Sequence, residues 1–127
     1  MDRNDNFQQF IENVVQKKSR MDSSPVQFMF GLTNVCNLHC AFCHYCGFCM
    51  SKIEKPVSIP LELLKQLKPY LHCAKFVNPS GRGEPFLYHD FDAFIEICRE
   101  SDALCSMQLT NNGTQLDRYE LSKLGGG

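Results

Sequence analysis

The sequence predicts an α/β fold of about three βα units with parallel strands, preceded by an N-terminal helix. Two observations carry this. Short runs rich in branched and aromatic residues alternate with longer segments whose apolar residues recur at helical spacing, the rhythm of parallel strands joined by crossover helices. The chemically unusual residues, a cysteine cluster, a Gly-Arg-Gly-Glu string and paired asparagines, follow the strand-like runs. Barrel-like α/β folds carry their sites at that end of their strands.

Each element has its own signal. Phe7, Phe10, Ile11, Val14 and Val15 fall at helical spacing, so a first amphipathic helix is expected from about Asp5 to Lys18, broken by Ser23-Ser24-Pro25. Val26 to Leu32 reads as a buried strand. The stretch from Asn34 to Lys55 is polar and dense in cysteine, which marks a functional loop. Around Pro60, suited to a first helical turn, Ser58 to Leu67 carries a leucine stripe and reads as a helix. Ala74 to Val77 is a second strand, and Phe91 to Glu100 a core helix with Phe91, Phe94, Ile95 and Cys98 on one face. A third strand is expected over Leu104 to Thr110, then a turn at Asn111-Asn112-Gly113 and a short helical piece from Leu116 to Leu124.

The chain has 127 residues, one domain's worth, and a net charge of −1. Its 13 basic residues are scattered, and the one short cluster, Lys17-Lys18-Ser19-Arg20, reads as a solvated helix end. No nucleic-acid partner is expected. No apolar run is long enough to span a membrane, and the N-terminus lacks an apolar signal core. Eight cysteines without a secretory signal imply thiols in a reducing compartment, so a cytoplasmic location is expected. Cys73, Cys98 and Cys105 fall in helix or strand contexts and read as small core residues.

Cys36, Cys40 and Cys43 lie within eight residues, too close to pair with one another without strain. They can instead converge on one inorganic centre. Three thiolates leave a four-iron cluster with one open corner, or a zinc ion one ligand short. The spacing C-x3-C-x2-C, with Phe42 before the last cysteine, resembles the signature of the radical SAM superfamily. The resemblance implies that Cys36, Cys40 and Cys43 hold a [4Fe–4S] cluster whose unique iron chelates S-adenosylmethionine. It also implies an incomplete partial barrel in which Phe42 packs near the adenine. Gly81-Arg82-Gly83-Glu84-Pro85 is similar to that family's Gly-Gly-Glu-Pro motif, with Arg82 at the commonest place of its first glycine. Gly83 and Glu84 are thereby implied as contacts of the methionine amino group, flanked by Gly81 and Arg82, while Asn111 and Asn112 line the site. Taken on its own, the same string is a strand-exit turn with glycines that let backbones approach closely.

Cys46 and Cys49 extend the run beyond the family's simplest pattern. If Cys46 is a fourth ligand, the cluster is closed and the chain is an electron-transfer or binding module. If Cys46 or His39 completes a zinc site, it is a structural protein. The extension and the Gly-Arg-Gly-Glu-Pro variant resemble the peptide- and protein-modifying members of the superfamily, which implies a peptide or protein substrate and a flavodoxin- or ferredoxin-type electron donor. Residues 1–21 are expected as a helical extension and 22–127 as a partial core domain. Open parallel sheets with bare edges are rare, so a piece of a longer enzyme, poorly active alone, is expected over a half-barrel completed by a partner.

Overall fold

The computed structural model of the chain describes residues 1–43, 55–117, 119 and 124. Three helices, α1 (Arg3–Val15), α2 (Leu61–Leu71) and α3 (Phe91–Glu100), accompany two strands, β1 (Gln27–Met29) and β2 (Phe76–Asn78). The strands run parallel, with Gln27 opposite Phe76, Phe28 opposite Val77 and Met29 opposite Asn78. The class is therefore α/β with an N-terminal helix, built on an open sheet; no closed barrel forms among the described residues.

The helical apolar stripes account for the core. Leu64 and Leu71 from α2, and Phe91, Phe94, Ile95 and Cys98 from α3, bury together with Phe30, Leu32 and Val77 from the strand region. Phe94 meets Phe30 edge-on, 5.5 Å between ring centroids. The α3 bounds coincide with those read from the sequence. Its end is set by backbone geometry: Asp102 takes a left-handed conformation (φ 53°), and the N–H groups of Asp102 and Ala103 cap the carbonyls of Arg99 and Cys98. Cys73 and Cys98 are core thiols as expected, and burial pushes the Cys98 thiol up to about 12. The side chain of Cys105 lies outside the described residues.

The helix expected over 58–67 runs over Leu61–Leu71 with Pro60 as its N-cap, the strand expected over 74–77 runs over Phe76–Asn78, and three expectations need larger correction. First, α1 ends at Val15 rather than Lys18, because Lys17 is left-handed (φ 51°) and Lys17 and Lys18 donate back to Val14 and Asn13. The inner face of α1 is also polar. Asn6 and Asn13 are buried, whereas Ile11, Val14 and Val15 are exposed. Asn6 clamps the helix onto the fold, donating to the carbonyls of Ser24 (3.2 Å) and Cys73 (3.1 Å) and accepting from Ser24 N–H (2.8 Å). Second, the strand expected over 26–32 is three residues long, although Phe30 N–H still reaches the Asn78 carbonyl (2.8 Å).

Third, Leu104–Ser106 is a 3-10 turn, not a strand. Ser106 and Met107 donate back to Ala103 and Leu104, so their N–H groups are taken before a ladder can form. Past that turn the chain meets β2 in a single parallel bridge, Met107 to Val77, with Gln108 N–H donating to the Val77 carbonyl (2.8 Å). Of the helical piece expected over 116–124, residues up to Asp117 form a turn and most of the rest lies outside the described residues.

Candidate functional site

Past β1 the chain leaves the sheet and becomes the middle layer of a small backbone lattice. On one side Asn34 N–H donates to the Val57 carbonyl (3.0 Å) and Ile59 N–H to that of Leu32 (2.9 Å). On the other, Gly83 N–H donates to Thr33 (3.1 Å) and Glu84 N–H to Val35 (2.8 Å). Gly83 is required by space: a Cβ there would stand 2.4 Å from the Val35 oxygen and 2.5 Å from that of Thr33. Gly81 likewise abuts the Gly31 Cα, at 2.7 Å from where its own Cβ would be. These glycines let two loops lie against each other, and that contact delivers Cys36 to the end of the sheet.

The result is a cavity of about 320 Å³. Its wall contains Cys36, Cys40 and Cys43 from the first loop, Gly81, Arg82, Gly83 and Glu84 from the second, and Asn111 and Asn112 from the third. Phe42 completes it. With Ser80 and Thr110 these form the whole described lining, so the ten residues singled out from the sequence share one pocket. Phe42 is 91% exposed, which sets it apart from a core phenylalanine and presents its ring at the pocket mouth. Arg82 also borders an adjoining cavity of about 370 Å³ lined by Thr33, Asn34 and residues 57–60.

The donor set is soft. Cys36, Cys40 and Cys43 form no disulfide, and a turn closed by Cys43 N–H on the Cys40 carbonyl (3.0 Å) orients the last two. A tetrahedral zinc site draws its sulfurs to about 3.8 Å of one another, given Zn–S bonds near 2.3 Å. Among the described residues no three His, Cys, Asp or Glu side chains are grouped closely enough to chelate one ion. Cys46 and Cys49 lie outside the described residues. His39, inside the cysteine loop, is exposed and does not line the cavity.

Glu84 is almost wholly buried, and its carboxylate straps the loops together. One oxygen accepts from Asn112 N–H (2.7 Å), the other from Phe86 N–H (3.3 Å). Glu84 and Asn112 stand out in the sequence, but this link does not, nor do the parts of Asn37, Ser80 and Thr114. Ser80 Oγ ties the second loop to the third through Thr110 N–H and the Thr110 carbonyl, both at 2.9 Å. Asn37 Nδ2 donates to Thr114 Oγ1 (2.8 Å). The one signal for Thr114 was its place behind Asn112-Gly113, where an asparagine side chain turns back on the backbone two residues on.

Compared with known proteins, the chain matches no family model and no solved structure. No helix among the described residues is long and apolar enough to cross a membrane.

Proposed function

We propose that the cavity holds a [4Fe–4S] cluster on Cys36, Cys40 and Cys43 with S-adenosylmethionine beside it, and that the chain is a radical SAM enzyme or the N-terminal part of one. The observation that supports this best is convergence. Three loops distant in sequence, each picked out by its own motif, line a single pocket at the strand ends. Three thiols are a soft donor set suited to iron–sulfur, and the carboxylate that shares the lining, Glu84, is engaged by the N–H groups of Asn112 and Phe86.

Held by Cys36, Cys40 and Cys43, a reduced cluster would supply one-electron cleavage of S-adenosylmethionine to a hydrogen-abstracting radical. The chain's own residues bind and orient. The exposed ring of Phe42 offers a face to a purine. Arg82 brings a cation to the side of the pocket where a carboxylate would be neutralised. Glu84 and the peptide groups around Gly83 present acceptors to an ammonium. A flavodoxin- or ferredoxin-type protein serves as electron donor, and the substrate is a peptide or protein.

The test is iron and sulfide content after anaerobic reconstitution. Cys43→Ala is expected to abolish uptake, while Cys49→Ala retains it. Equal loss in both would overturn the ligand assignment. Loss in Cys46→Ala would indicate a closed electron-transfer cluster, and one zinc with no iron a structural zinc protein.

A further inference from the structure

We infer that Asn112 is a positioning residue for the metal centre, donating an N–H···S hydrogen bond to Cys36 that raises the reduction potential of the cluster. The inference rests on the proposed cluster site. Its geometric basis is independent of any cluster.

The orientation of the Asn112 amide is set by its partners. Thr114 N–H, which can only donate, points at one terminal atom of the Asn112 side chain (3.0 Å), so that atom is the oxygen. The Thr114 hydroxyl also donates to it, at 2.7 Å. The nitrogen therefore faces the other way, toward Asn37 Oδ1 at 2.9 Å and Cys36 Sγ at 3.8 Å. Both amide hydrogens and both lone pairs are used, so the group has no favourable flipped alternative. Its main chain is held as firmly, with Asn112 N–H on the buried Glu84 carboxylate (2.7 Å).

A donor aimed at a ligating sulfur withdraws charge from it. Reduction adds negative charge to the cluster, and that charge spreads onto the thiolates, so the bond strengthens on reduction and favours the reduced state. Among the described residues, Asn112 gives Cys36 the one hydrogen bond from a side-chain amide. Asn112 thus joins the loop carrying Glu84 to the loop carrying the thiols.

The experiment is a potentiometric titration, followed by EPR, of the anaerobically reconstituted chain. Wild type is compared with Asn112→Ala and with the isosteric Asn112→Asp. The aspartate keeps the acceptor for Thr114 but turns the sulfur-facing atom from donor to acceptor. The midpoint potential, read on the iron-loaded fraction, is expected to shift negative in Asn112→Ala and further negative in Asn112→Asp, which adds a negative charge as well as removing the donor. An unchanged potential in Asn112→Ala would overturn the inference, whatever Asn112→Asp does, while leaving the cluster site standing. A wild-type chain that takes up no iron would overturn the site and this inference together.

Discussion

Two regions of this small fold are held by different forces. Beneath the strands, α2 and α3 close on an apolar core, with Phe94, Ile95, Leu64 and Val77 at 0–1% exposure. Above the strands, the cysteine, Gly-Arg-Gly-Glu and Asn-Asn-Gly loops meet through hydrogen bonds of the backbone and of amide, hydroxyl and carboxylate side chains, with Glu84 and Gly83 at their centre. Burial of apolar area is non-directional and tolerates small shifts. Hydrogen-bonded loops are directional and depend on each partner being in place. The first arrangement supplies stability, and the second supplies geometry at the rim of the cavity.

The largest separation of the two should come from Phe94→Ala. Deleting a wholly buried phenylalanine costs about 3–5 kcal/mol, a large share of the roughly 5–15 kcal/mol that holds a domain together. Denaturant unfolding should show that loss. A change under about 1 kcal/mol would place the core elsewhere. Gly83→Ala should act at the other end. Its Cβ meets the carbonyls of Thr33 and Val35, so the loops must part, at a cost of about 1–3 kcal/mol. Far-UV circular dichroism should stay near wild type while iron uptake falls. Unimpaired uptake would show that the lattice behind Cys36 is not what positions the thiols. The Asn112 variants are the gentlest intervention, moving a potential with the fold intact.

How much could be read beforehand follows the same division. The α3 helix was legible to the residue because its apolar period is strong and its inner face is the apolar one. The α1 helix was legible as a helix, but its buried side was not. Asn6 bonds to Ser24 and to Cys73, 67 residues away, and such pairing of an amide leaves no periodic trace. The third strand failed because Ala103 and Leu104 accept the N–H groups of Ser106 and Met107 in a local turn, a choice that strand propensity does not register. At the site, contiguous motifs announced themselves, since three thiols in eight residues and the Gly81–Glu84 string need no fold to be seen. The links between them do need it. Asn112 and Asn37, 75 residues apart, become neighbours only when the loop leaving β1 and the segment bridged to β2 at Met107 come to the same end of the sheet.

The most direct test of the central claim is the EPR spectrum of the reconstituted, reduced chain before and after addition of S-adenosylmethionine. A three-cysteine cluster with an open iron predicts a [4Fe–4S] signal whose g-values move when the ligand is added. A cluster signal that S-adenosylmethionine leaves unchanged would contradict it.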